Sequence, residues 1–214
     1  MKKVLIACFL FSNLLIELHA EPVKLSISTD QIKEVKRIHD AFVEDLGKKT
    51  EDYQFAIEES EVLNAYASLG KKIIVTTGLI KALESEAGLA FVLAHELGHV
   101  EQKHVVKGIV RNSLGALLQM IFFREANTAS HVYQGANYLH SKYYSRSKEK
   151  KADLFAVELI NKHYCKMPGK LEFFEKISEK TKASKASEYF STHPLPETRI
   201  KYLHSEIEKA GCVV

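Results

Sequence analysis

Two histidines and a glutamate lie in the middle of a stretch that otherwise reads as an apolar helix. Ala87, Ala90, Phe91, Ala94 and Leu97 recur at helical spacing after Ser85, which is placed to cap the helix, with Glu86 in its first turn. Within that stretch the chain reads His95-Glu96-Leu97-Gly98-His99. Residues four apart share a helix face, so both imidazoles can reach one metal ion. Glu96, one step round, can touch a water beside that ion without displacing it. The five-residue pattern also arises by chance, but a stray copy here would bury two imidazoles and a carboxylate without partners. Any fold for this chain has to bring further polar groups to this helix.

A catalytic zinc takes three protein ligands and keeps a position open for water, so a third ligand is expected on another element. In Ser145-Arg146-Ser147-Lys148-Glu149-Lys150-Lys151-Ala152-Asp153, Glu149 and Asp153 share one face of a helix expected from about Tyr143 to Tyr164. Spacing permits Glu149 as a ligand, with Asp153 accepting the second ring N–H of a ligating histidine. It equally permits a solvated carboxylate among lysines. Ser191-Thr192-His193-Pro194-Leu195-Pro196, followed by Arg199, reads as a loop. It can be no more than that, or it can return His193 and Arg199 to the metal face, where both could stabilise a developing oxyanion.

Around these residues the pattern is helix-rich. Thr29 or Asp30 is expected to cap a helix from about Gln31 to Leu46, with Ile32, Val35, Ile38, Phe42 and Val43 on one face and Gly47 ending it. Strands are expected at 53–58, 63–69 and 72–76, the last two joined by a Gly70-Lys71 turn, with Gly78 closing the small sheet. Shorter helices are expected at 170–182 and 196–209. The apolar run from Val105 to Phe123 is broken by Lys107, Arg111 and Gln119. Its charge-free part, Asn112 to Phe123, falls short of the roughly 20 residues that span a bilayer.

The amino terminus differs in kind. Lys2 and Lys3, the apolar stretch from Val4 to Ile16 and the Ala20-Glu21-Pro22 junction read as a secretory signal peptide over 1–20, followed by a single domain over 21–214. Leu5-Ile6-Ala7-Cys8 looks like a lipobox, but too little apolar chain precedes Cys8, and lipidation is not expected. In an exported chain Cys165 and Cys212 can pair or stay free, and the sequence does not choose between these. A net charge of +3, with acids and bases interleaved, argues against a nucleic-acid partner.

HELGH, SRSKEKKAD and STHPLPETRI, in that order, resemble the zinc peptidase family containing the CAAX prenyl proteases, the bacterial heat-shock membrane protease and periplasmic outer-membrane quality-control proteases. Asn64-Ala65-Tyr66-Ala67 and Ile73-Ile74-Val75-Thr76-Thr77-Gly78-Leu79 resemble that family's strand pair before the metal helix. The likeness covers roughly residues 30–204. It implies an α+β, mostly helical, gluzincin-like domain with a small sheet beside the metal helix, and one Zn2+ held by His95, His99 and Glu149. It also implies that His193 and Arg199 face the active site and that Asn64, with Ala65 and Tyr66, lies on a substrate-binding edge strand. Without the several membrane helices of its membrane relatives, the sequence resembles the soluble exported branch, expected in the periplasm. Residues 105–142 match no motif of the family. Packing is the preferred reading for them, over a movable cover or a patch touching the membrane.

The expected reaction is hydrolysis of internal peptide bonds in unfolded or misassembled envelope proteins, with Glu96 as the base. The resemblance also brings in the outer-membrane assembly machinery as a partner. His193 has a second available role: a neutral imidazole could fill zinc's open position until substrate displaces it. The rival class is a zinc-stabilised chaperone or binding protein that does not cleave.

Overall fold

The structure, a computed structural model, describes residues 25–110, 146–180, 193 and 197–214, without the side chains of 178–180, 197 and 198. The expected signal peptide, Cys8, residues 111–142, and the loop residues on either side of His193 lie outside the described residues.

Helix α1 spans Thr29–Asp45 and buries Val35, Ile38, Phe42 and Val43 as the periodicity predicts, with His39 among them. Its cap is Ser28, not Thr29 or Asp30. The Ser28 hydroxyl accepts the Gln31 N–H at 3.2 Å and the Gln31 amide accepts the Ser28 N–H at 2.9 Å. Only the residue three before Gln31 can close that reciprocal pair, which is why the cap sits one residue earlier than expected.

Three strands follow, β1 (Gln54–Glu58), β2 (Ala65–Ser68) and β3 (Lys72–Thr76), arranged β1-β3-β2. β2 and β3 form the expected antiparallel hairpin, Ala65 opposite Val75 and Ser68 opposite Lys72. Gly70 and Lys71 both take positive φ in its turn. β1 runs parallel to β3, Gln54 opposite Lys72. Gly78 does not simply close the sheet: Thr77–Ala82 form a short helix, α2. The Thr76 hydroxyl accepts the Leu79 N–H at 3.3 Å, so the last residue of β3 is also a helix cap.

Helix α3 (Glu86–Glu101) carries the HExxH residues and is buried on every side from Ala87 to His99. The Ser85 hydroxyl caps it, accepting the Gly88 N–H at 3.3 Å. The Glu86 carboxylate takes hydrogen bonds from Arg37 of α1 (2.5 Å) and from the Tyr164 hydroxyl (2.8 Å), tying three helices at one end. Helix α4 (Arg146–Tyr164) packs along α3. The two helices approach closely at Gly98, where a Cβ would stand 3.1 Å from Phe155 Cδ1 and 3.2 Å from Ala152 Cα. The small residues Gly98 and Ala152 therefore let the two backbones meet, which sets Glu149 and Asp153 opposite the two histidines. Helices α5 (Glu172–Lys180) and α6 (Glu197–Lys209) complete the described chain, and among the described residues no helix is long and apolar enough to cross a membrane.

Cys165, at the end of α4, is disulfide-bonded to Cys212 in the carboxy-terminal tail, 47 residues on. Buried Lys170 adds a second tie, its ammonium donating to the Cys165, Met167 and Val213 carbonyls. Cross-linking a loop of this length removes about 4 kcal/mol of denatured-state chain entropy. Cys212→Ser is expected to lower unfolding stability by up to that amount, read from urea unfolding against the oxidised parent. Equal midpoints would show that the cross-link contributes nothing.

Candidate metal centre

The fold brings four nitrogen- and oxygen-bearing side chains from three parts of the chain to one buried point. Nitrogen or oxygen atoms of His95, His99, Glu149 and His193 all lie within 4.8 Å of one another. His95 and His99 stand one turn apart on α3, their Nε2 atoms separated by 3.0 Å. Glu149, in the first turn of α4, reaches both: 3.5 Å from His95 Nε2 and 3.4 Å from His99 Nε2. His193, which precedes α6, brings its Nδ1 to 3.1 Å from Glu149 Oε2.

These residues fit a divalent cation. Two ligands held about 2.0–2.1 Å from a tetrahedral zinc lie about 3.3 Å apart, and the spacings of 3.0, 3.5 and 3.4 Å bracket that value. Two imidazoles and a carboxylate form a donor set suited to a borderline metal such as zinc. Glu149 Oε1 and Glu96 Oε1 are buried and accept no hydrogen bond among the described residues. A buried carboxylate oxygen in that condition is costly unless a cation or water meets it.

Behind the cluster stands a charged layer. Asp153 Oδ1 lies 2.9 Å from His95 Nδ1 and accepts its proton, which turns the lone pair of a neutral His95 Nε2 towards the centre. Arg199, on α6 and 1% exposed, grips Asp153 with two hydrogen bonds of 2.6 Å and brings Nη1 to 3.0 Å from Glu149 Oε2. Its guanidinium lies over the Phe174 ring, and the Tyr202 hydroxyl donates to Asp153 as well. Glu96 is pinned from the sheet side. Its Oε2 accepts the Ala67 N–H at 2.8 Å, and its Oε1 faces His193 Nε2 at 3.6 Å.

Burial and charge pull these groups in opposite directions. Burial would raise the Glu149 carboxyl, but His193 and His95 beside it hold it well below the usual carboxylate range. Asp153 is likewise pushed up by burial and brought below its ordinary value by Arg199 and His95. Burial lifts the Glu96 carboxyl, and the nearby imidazoles only partly offset it. For His95 burial works downwards, yet its hydrogen bonds to Asp153 and Glu149 prevail and raise it to about 9. His99 is driven well below 6.5 by burial and by the neighbouring imidazoles. Zinc affinity at such a centre depends on pH, because a ligating imidazole has to give up the proton on its coordinating nitrogen.

Of the residues singled out in the sequence, the structure gathers His95, Glu96, His99, Glu149, Asp153, His193 and Arg199 around one point. The edge-strand residues are placed differently from one another. Asn64 is buried just before β2 rather than within it, its carbonyl accepting the Thr76 N–H at 3.0 Å. Ala65 has its side chain in the core, so only its main chain can meet a ligand, while Tyr66 is half-buried and its hydroxyl reaches Glu58 at 2.8 Å.

A family model described as peptidase family M48 matches residues 29–207, which enclose the whole constellation. The chain belongs to that family. It is 31% identical over 160 residues to the putative beta-barrel assembly-enhancing protease of Vibrio cholerae, covering 69% of this chain and 33% of that protein. It is 28% identical over 151 residues to the mitochondrial metalloendopeptidase OMA1 of Arabidopsis thaliana, covering 71% and 31%. With the beta-barrel assembly-enhancing protease of Escherichia coli O157:H7 it shares 27% over 164 residues, covering 71% and 34%. The chain therefore spans about a third of the length of the curated relatives it matches. The M48 chain is mostly helical, with a three-stranded sheet among the described residues.

Three side chains or groups near the centre of this M48 chain escaped the sequence reading. Tyr202 stands three residues after Arg199, and that helical spacing is a usable signal for a shared target on Asp153. The Ala67 amide carries no side-chain signal at all. His104, whose Nδ1 lies 2.8 Å from His99 Nδ1, is five residues from it, a spacing that a continuous helix would not bring into contact.

Proposed function

We propose that this M48 chain is a gluzincin-type zinc endopeptidase that cuts internal bonds of unfolded or misassembled polypeptides in the cell envelope. Glu96 carries the reading. It is a fully buried carboxylate with one oxygen held by a strand amide and the other facing His193 Nε2, whose ring belongs to the same cluster as His95, His99 and Glu149. A purely structural metal site has no use for such a base.

His95, His99 and Glu149 would hold the zinc. When bound, that ion polarises the scissile carbonyl and makes an attacking water more acidic. Glu96 Oε1 takes the proton from the water and later gives it to the departing amine nitrogen. Its raised pKa suits both halves of that exchange. Arg199 and His193 present positive or hydrogen-bonding groups to the oxygen that gains charge. An extended substrate adds to the outer edge of β2, where main-chain hydrogen bonds take little account of side chains. That indifference suits unfolded polypeptides of varied sequence. The Vibrio and Escherichia relatives are named for beta-barrel assembly, which supports an assembly machinery of the outer membrane as a partner. The likeness of the sequence to the exported branch supports the periplasm as the location, reached by a leader over 1–20 ahead of a single domain over 21–214. Val106 and Val110, 47% and 61% exposed, support a peripheral membrane contact at the start of the apolar 105–123 stretch.

One observation favours a second reading. His193 stands close enough to make a fourth protein ligand, and a site closed by four protein ligands is characteristic of structural zinc. As a latch, His193 yields to substrate; as a permanent ligand, it makes a non-cleaving chaperone. The test measures zinc content and casein cleavage side by side. One zinc per chain is expected, with cleavage lost on chelation and restored by zinc. A protein that takes up no zinc sinks the proposal. His193→Ala separates the two roles of that residue, because release of a latch raises basal cleavage whereas loss of an oxyanion partner only lowers it.

A further inference from the structure

We propose that His104 is a positioning residue for the metal centre: it accepts the Nδ1–H of His99 and so turns the lone pair of His99 Nε2 towards the metal. The inference rests on the zinc reading above and adds a residue to it.

His104 is 4% exposed, with its Nδ1 2.8 Å from His99 Nδ1 and the two ring centroids 5.0 Å apart at 62°. One proton sits between those two nitrogens, and chemistry decides which ring owns it. A neutral imidazole coordinates through an unprotonated nitrogen, and His99 directs Nε2 at His95 and Glu149. Its proton therefore belongs on Nδ1. His104 must then offer the Nδ1 lone pair and carry its own proton on Nε2. The reverse arrangement, with His104 donating, would put the proton of His99 on Nε2 and block coordination.

The backbone is shaped to deliver this contact. Helix α3 ends at Glu101, and Lys103 takes φ of +55°, a left-handed conformation uncommon for a residue with a Cβ. The chain then re-enters helical geometry at 104. Five residues along an unbroken helix turn through about 500°, which would leave His104 far round from His99. The break at Lys103 brings it back underneath. Local strain of this kind persists where the surroundings require it, and here the result is a buried imidazole pair against the centre.

The two ligands on α3 are then held in matching ways from opposite sides. Asp153 takes the Nδ1–H of His95 from α4, and His104 takes the Nδ1–H of His99 from the run that follows α3. The partners differ in charge. Aspartate fixes the ring and enriches its electrons, whereas a neutral imidazole fixes it with less enrichment.

The experiment compares zinc affinity, by competition with a chromophoric chelator, for the full chain, His104→Phe and His104→Asn. Thermal unfolding of the metal-free forms is followed alongside. Phenylalanine keeps a ring and loses the acceptor, while asparagine can place an oxygen near the Nδ1 position. Losing an outer partner of a metal-bound histidine typically weakens zinc about 10–100-fold, and that loss is expected for His104→Phe, with His104→Asn within a few-fold of the parent. Equal weakening in both variants, or none in His104→Phe, overturns the inference while leaving the zinc reading intact. Failure of the unmutated chain to bind zinc overturns both. Should His104→Phe not fold, imidazole nitrogen shifts of the zinc-loaded unmutated protein decide the matter. A protonated Nδ1 on His99 and a bare one on His104 support the assignment, and the opposite pair overturns it.

Discussion

Glu96→Gln is expected to cut peptide hydrolysis by about 10²–10⁴-fold, the usual contribution of a positioned general base, and to leave one zinc per chain in place. Glutamine preserves the shape of the side chain, and its amide oxygen can still accept the Ala67 N–H that holds the glutamate at 2.8 Å. It cannot take a proton from water near neutral pH. Because Glu96 is fully buried, no solvent carboxylate can replace it. Removing a burial-strained acid should leave stability unchanged or slightly raised, so the loss of turnover cannot be charged to unfolding. The measurement is kcat/KM on an unfolded protein substrate, together with zinc content and the unfolding midpoint. Parent and variant cleaving at similar rates would remove Glu96 from the chemistry. Retention of an anti-aggregation activity by the variant would favour the chaperone reading, since a holdase has no need of the base.

How much of this centre is legible in the sequence differs from residue to residue. His95, Glu96 and His99 are legible because helix periodicity alone puts the imidazoles on one face. Their burial, which makes them expensive to strand, is legible from the apolar residues between and around them. Glu149 and Asp153 are half-legible. Their spacing places them on a common face but is silent on which helix they meet, and that answer lies in Gly98 and Ala152, where two backbones touch. Arg199 and His193 depend on a return of the chain from far along the sequence. No local pattern encodes such a return, so in the sequence they rest on likeness to a family. His104 is illegible for a different reason: its contact requires the left-handed backbone at Lys103, a residue type that gives no warning of it. The fold shows the same division. Strands β2 and β3, joined by a short turn, follow from local pattern. The parallel pairing of β1 with β3 is a long-range choice, and α2 is hidden because its cap, Thr76, is also the last residue of a strand.

Asp153→Leu is expected to destabilise the metal-free protein by about 3–5 kcal/mol, the cost of removing one member of a buried ion pair. Arg199, 1% exposed, would keep its charge while losing both 2.6 Å hydrogen bonds to Asp153. Among the described residues Glu149, at 3.0 Å, is the other carboxylate beside it, and that group is already engaged with His193. The Tyr202 hydroxyl would lose its acceptor too. Adding Arg199→Met removes the charge that Asp153 had matched, so the double variant should be less destabilised than the two single changes predict together. Replacing a buried pair by apolar side chains is often close to neutral. Zinc affinity should behave otherwise. The 2.9 Å contact that fixes the His95 ring is lost in the single and the double variant alike, and a weakening of about 10–100-fold is expected in both. Urea unfolding of the four metal-free proteins, with chelator competition for zinc on the same samples, separates the two roles. If zinc affinity recovers in step with stability, Asp153 serves the fold alone. If stability recovers and affinity does not, the same carboxylate both anchors α6 to α4 and sets the tautomer of a metal ligand.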